Sequence, residues 1–133
     1  TTRRVEFHDT DAAGIMHFSC YFRFMEEAEH ELLRDSGLSV IHQDESGTIS
    51  WPRVAAECEF HGAVKFEDVV QIEVRVRHLG QKSVMYGFRL THDGRDVATG
   101  KMTVVYCRLC EDAPPKSISI PDWITEKLKS RLQ

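Results

Sequence analysis

Apolar and polar positions alternate cleanly from Val69 onward. Val70, Ile72, Val74 and Val76 fall on one side of an extended chain, and Gln71, Glu73, Arg75 and Arg77 fall on the other. After the turn "LGQK" the period resumes through Val84, Tyr86, Phe88 and Leu90. "HDGRD" carries an Asp-Gly hairpin signal, and "VATGKMTVVYCRL" completes a meander of three antiparallel strands. A different period precedes this block. Phe18, Tyr21, Phe22, Met25, Ala28 and Leu32 recur at three- and four-residue steps, one face of an α-helix. Arg23, Glu26, Glu27, Glu31 and Arg34 fill its solvated face. Gly37 is the expected stop, with Arg34 in the last turn where a cation suits the helix dipole. Such a helix is ~25 Å long at 1.5 Å per residue, enough to cross a small sheet.

The remaining segments carry weaker patterns. "TTRRVEF" reads as a short strand ending near Phe7, and residues 38–50 read as a polar loop. "WPRVAAECEFHGAVKFED" holds strand-like pieces interrupted by Gly62, and "DWITEKLKSRLQ" predicts a short closing helix. Strand, long helix, then four or so antiparallel strands is an α+β order within one expected domain over residues 1–133. So apolar a helix face packs best inside the curve of a twisted sheet.

Composition narrows the function classes. A net charge of −4 leaves no basic footprint for nucleic acid, and any anionic ligand must meet local Lys or Arg. The apolar runs fall far short of the ~20 residues that span a bilayer. Cys107 and Cys110 form one C-x-x-C, without the second Cys or His pair that a zinc site needs. With Cys20 and Cys58 they read as reduced thiols of a cytoplasmic protein.

The chemistry concentrates in "FHDTDAAGIMHF", residues 7–18, where Asp9 and Asp11 flank Thr10 at the mouth of the long helix. An acid there is a helix cap, a catalyst or a metal ligand. Two carboxylates without further ligands are weak grounds for a metal. Asp suits loop organisation through backbone bonds, the expectation for Asp9. The seven histidines form no H-x-x-x-H pair, and no Ser sits in a G-x-S-x-G turn, so serine-hydrolase chemistry is not indicated. His17, beside Ile15 and Met16, is the one histidine placed at the helix mouth.

"VEFHDTDAAGIMHFSCYFRFMEEAEHELLRDSGL" resembles the N-terminal signature of the hotdog-fold acyl-CoA thioesterases of the 4-hydroxybenzoyl-CoA thioesterase type. Asp9, Asp11, Gly14, Ile15, Tyr21, Glu26 and Gly37 stand at the signature positions. Weaker similarity continues through "FEDVVQIEVRVRHLGQKSVMYGFRL", "ATGKMTVVY" and "SISIP". The resemblance implies an antiparallel sheet wrapped around one long central helix. It implies dimers or tetramers with sites at subunit boundaries, an acyl-CoA substrate, and neither cofactor nor metal. Asp11 takes the place of the catalytic carboxylate, as nucleophile or as base for a water.

The loop and helix start near His17 and Phe18 are the expected oxyanion site, because the first N–H groups of a helix lack partners. Gly14 is expected to let the backbone approach a ligand, and His17 to lend its N–H or line the wall. Lys82 of the "GQKS" turn and Lys116 match positions of phosphate contacts in related enzymes, and Ser83 beside Lys82 is a further candidate for substrate binding. A hydratase on the same scaffold and a non-catalytic acyl-CoA binding module are the rival expectations.

Overall fold

The computed structural model describes residues 1–133. In chain order the elements are β1 (Thr2–Arg4), a 3-10 turn (Phe7–Asp9), α1 (Cys20–Asp35), β2 (His42–Asp44), β3 (Gly47–Ser50) and β4 (Arg53–Phe60). They continue with β5 (Val69–Leu79), β6 (Ser83–His92), β7 (Arg95–Val105), β8 (Cys107–Arg108), β9 (Lys116–Ser117) and α2 (Asp122–Lys129). Five strands form one antiparallel sheet in the order β1-β5-β6-β7-β4, and four short ones form a second in the order β2-β3-β8-β9. The larger sheet lays its apolar face along α1, as the α+β and hotdog expectations require.

The meander follows its alternation. Val70, Ile72, Val76, Val84, Tyr86, Phe88 and Leu90 are all buried, and Asp93 with Gly94 makes the β6–β7 turn with φ of 50° and 76°. Two successive positive φ values match the twist of a tight hairpin. Gly100 on β7 faces α1, and a Cβ there would stand 2.5 Å from Met25 Cε. The missing side chain is what lets helix and sheet approach so closely.

α1 begins at Cys20, two residues later than its apolar period suggests, and its buried face is turned accordingly. Cys20, Tyr21, Phe24, Met25, Ala28, Glu29, Leu32 and Leu33 are buried, whereas Phe18 lies outside the helix and is 64% exposed. The apolar count missed Phe24 and Leu33, and it missed Glu29 because a carboxylate scores as solvated. At the far end Leu38 N–H donates to Leu33 O and Gly37 N–H to Arg34 O, with Gly37 at φ 76°. This is the glycine-terminated helix stop that the sequence predicts.

β1 stops at Arg4, short of the expected end near Phe7, which instead opens the 3-10 turn, and two further readings need correction. Residues 38–50 are not simply loop: β2 and β3 form a hairpin there, anchored by fully buried Ile49. The run through "YCRL" is not one strand either. β7 ends at Val105, and β8 crosses to the smaller sheet, pairing Ser50 with Cys107 and Ile49 with Arg108. Long-range pairing decides both, and these strands of two to four residues are too short to show a period of their own.

Candidate active site

The acidic loop is folded on itself before it enters α1. Thr10 bridges to Met16, Asp11 N–H donates to Ile15 O at 2.9 Å, and His17 N–H donates to Asp9 O at 2.8 Å. The far side of the loop is tied to the segment after β4, because Met16 N–H donates to Val64 O at 2.7 Å. Asp9 is 4% exposed, its Oδ2 accepting Glu6 N–H at 2.9 Å and its Oδ1 lying 3.4 Å from Arg23. A buried carboxylate held in this way organises the loop.

Asp11 is half-buried. Its Oδ1 accepts Ala13 N–H at 2.8 Å, and its Oδ2 takes no hydrogen bond from within the chain. Gly14 has φ 80° and nothing within 4 Å of where a Cβ would stand. The conformation of the turn demands this glycine. The expected close approach of a ligand is not what fixes it within the single chain.

At the helix mouth the backbone N–H groups of His17 and Phe18 differ in what they meet. The His17 N–H is spent on Asp9 O, so it is not a free donor. Its ring Nδ1 accepts Ser19 N–H at 3.2 Å and lies 2.8 Å from Ser19 Oγ, which makes the His17 side chain the cap of the turn. Ser19 occupies the N-cap position without making a side-chain cap bond. Phe18 N–H finds no acceptor in the chain. Phe18 N–H is therefore one free donor at this helix start.

Burial pushes the Tyr21 phenol up, with Cys58, Cys20 and Asp11 adding to the effect and Arg95 opposing it. Tyr21 stacks edge-on against Phe60, ring centres 4.9 Å apart, at the end of β4. Burial pushes the Cys58 thiol up to about 11, so it stays protonated at neutral pH and is a poor nucleophile. All four cysteines are free. No three His, Cys, Asp or Glu side chains converge on a point that could hold a metal.

Lys82, Ser83 and Lys116 gather at the opposite end of the large sheet. Ser83 faces Val105, Tyr106 N–H donates to Lys82 O at 2.8 Å, and Ile120 N–H donates to Gln81 O at 2.9 Å. The row that ends beside Tyr21 joins Leu90, Ala98 and Phe60. Seven residue steps along β6 separate the two rows, about 23 Å at ~3.3 Å per residue. One chain does not bring the lysines to Asp11.

Sequence reasoning passed over Arg53 and Glu29. Arg53 opens β4 and reaches both Glu29 Oε1 at 2.7 Å and Glu26 Oε2 at 3.1 Å on α1. Burial pushes the Glu29 carboxyl up despite the opposing Arg53 bond, and its Oε2 has no partner. An acid on the inward stripe of α1, rather than on its polar face, was the available signal. The chain's 540 Å³ concavity lies elsewhere, on the polar outer face of the sheet around Arg75, Arg77, Gly87 and Lys101.

The family model of the thioesterase-like superfamily matches residues 5–128. The chain is 30% identical to a 4-hydroxybenzoyl-CoA thioesterase from Pseudomonas sp., over 71% of this chain and 70% of that protein. It is 26% identical to a 1,4-dihydroxy-2-naphthoyl-CoA hydrolase from Synechococcus elongatus, over 92% of this chain and 91% of the relative. A solved gentisyl-coenzyme A thioesterase superposes with a TM-score of 0.82 at 28% identity, covering 96% of this chain and 98% of the other. With the curved sheet, the long helix and the acid-bearing loop at its mouth, these matches place the chain in the thioesterase-like superfamily, as a hotdog-fold thioesterase of the 4-hydroxybenzoyl-CoA thioesterase type.

Proposed function

We propose that this chain hydrolyses an acyl-CoA thioester to the free acid and coenzyme A, with Asp11 as the catalytic carboxylate and Phe18 N–H as an oxyanion donor. The observation that carries the reading is the state of the loop. One Asp11 oxygen is held by Ala13 N–H and the other is free, at a helix start whose Phe18 N–H is also free. The free oxygen either attacks the acyl carbon, forming an anhydride that water then opens, or takes a proton from a water that attacks directly. In both routes the carbonyl oxygen gains charge, coenzyme A leaves as its thiol, and the helix dipole with an unpaired N–H favours the anion. His17 positions that donor by capping the turn, and Gly14 supplies the turn's left-handed residue.

The reading requires a second copy of the chain. β4 pairs with β7 on one side only, and on its other side Val54 is 63% exposed along an unpaired edge. An unpaired edge is a template for another strand. Antiparallel pairing of two β4 edges about a twofold axis sets the Phe60 end of one chain beside the Arg53 end of the other. Asp11 then faces the end of the second copy that carries Lys82, Ser83 and Lys116, where cations suit the coenzyme phosphates. Two of the relatives are named for aromatic acyl groups bearing hydroxyls, which makes hydroxyaryl-CoA esters the first substrates to assay.

The deciding experiment is thiol release over a panel of short-chain, long-chain and hydroxyaryl acyl-CoA esters, with wild type beside Asp11→Asn. Turnover lost in the variant while the fold and oligomer persist supports the reading. Full turnover in a folded Asp11→Asn overturns it, and binding without turnover in wild type would make the chain a binding module.

A further inference from the structure

We infer that the exposed indole of Trp123 is the stacking platform for the adenine ring of the coenzyme, at the lysine-bearing end of the sheet. The inference rests on the acyl-CoA reading above and assigns a residue and a ligand part that the reading leaves open.

Trp123 sits in the first turn of α2 and is 53% exposed, whereas the other tryptophan, Trp51, is 6% exposed. Its orientation is fixed from one side. His42 meets it edge to face with ring centres 6.1 Å apart, and His42 is itself held by Tyr106, whose hydroxyl lies 3.3 Å from Nε2. A large aromatic surface left open to water but held still is costly unless something covers it. A flat heteroaromatic ring gains most from such a surface, because little side-chain freedom remains to be lost.

The charges around it select which ring. Ile120, three residues before Trp123, is bonded to Gln81, and Gln81 Nε2 donates to Ser119 Oγ at 3.2 Å, so α2 starts beside the turn that carries Lys82. Lys116 lies on the strand leading into this segment, and Lys127 lies one helical turn beyond Trp123. Of the six lysines, Lys101 and Lys129 are held in ion pairs with Glu57 and Glu126. Three of the remaining four, Lys82, Lys116 and Lys127, stand at this end; of the nearby acids, Asp44 and Glu126 are committed to Arg108 and Lys129, and Asp122 beside Trp123 is outnumbered by the three cations. Uncommitted cations beside an ordered, open indole fit a purine ring carrying phosphates. They do not fit an apolar chain.

The test compares the same acyl group carried on coenzyme A and on pantetheine, which lacks the nucleotide. In Trp123→Ala the KM for acyl-CoA rises roughly 5- to 150-fold, the range of losing one base–aromatic stack. The KM for the acyl-pantetheine and the kcat for both stay as in wild type, and Trp123→Phe recovers most of the loss. Adenosine 3′,5′-bisphosphate quenches the indole fluorescence of wild type and not that of Trp123→Phe, in which Trp51 remains as the internal reference. An unchanged ratio of the two KM values in a folded Trp123→Ala overturns the inference and leaves the role of Asp11 standing. So does a change of oligomeric state with that ratio unchanged, which would assign the ring to a contact between copies. Quenching by the bisphosphate in a protein that hydrolyses no thioester keeps the nucleotide site and overturns only the hydrolytic reading.

Discussion

His17 donates its backbone N–H to the carbonyl of Asp9 at 2.8 Å, closing the loop that carries Asp11. This bond removes one donor from the helix mouth, and the next N–H along, that of Phe18, is left without an acceptor. The two acids therefore divide their labour. Asp9 spends its carboxylate on Glu6 and Arg23, and Asp11 keeps one oxygen unspent.

Replacement of Asp11 should affect chemistry and leave stability nearly unchanged. Asp11→Asn lowers kcat by roughly 10²–10⁴, the range for losing a positioned acid–base group. It shifts the urea midpoint little, because only Ala13 N–H bonds to the side chain and an amide oxygen can still accept it. Steady-state thiol release and urea unfolding on the same preparation check both halves.

Asp9 should show the reverse balance. Asp9→Ala strands the Glu6 N–H and leaves Arg23 without its buried acid, at a cost of about 1–3 kcal/mol. Activity falls in step with loop order, and Asp9→Asn recovers part of both, as read by chemical denaturation beside turnover.

Glu29 should make stability depend on pH. Its carboxyl in the folded chain is raised by burial, so the folded state holds that proton more tightly than the unfolded state does. Stability attributable to this group is then lost as pH rises from the ordinary glutamate value of about 4.3 through the raised one. The difference in unfolding free energy between wild type and Glu29→Gln falls over that window and flattens above it. Glu29→Ala costs roughly 3 kcal/mol, near the lower end for breaking a buried pair, because Arg53 keeps Glu26. Urea titrations at a series of pH values measure both.

Lys82 and Lys116 should act on binding of the coenzyme and be sensitive to salt. Each Lys→Ala variant raises KM for acyl-CoA with kcat little changed, and the difference from wild type shrinks at high ionic strength, where the ~8–10 Å screening length shortens. Since Asp11 and the lysines lie at opposite ends of one chain, mixing inactive Asp11→Asn with Lys82→Ala chains should give hybrid dimers. In these, one site carries both lesions and the other carries neither. At substrate well below the raised KM of Lys82→Ala, turnover of the mixture above that of the two variants assayed apart reads out a site shared between copies.

Local pattern alone determined the elements with a period of their own. Alternation set β5 and β6, the Asp93-Gly94 turn set their continuation into β7, and the apolar steps with Gly37 set the existence and the end of α1. The acidic loop was also legible, because its charges and its glycine stand close together in sequence. Only the tertiary structure decided which helix face turns inward, that Glu29 is buried against Arg53, and that residues 42–50 form a hairpin. It alone decided that the His17 donor is consumed while that of Phe18 is free, and that Lys82 lies across the sheet from Asp11. The physical reason is common to all of these. Periodicity reports the environment of a residue averaged along its own segment, whereas a hydrogen bond or an ion pair between segments depends on which strands meet, and no local pattern carries that information.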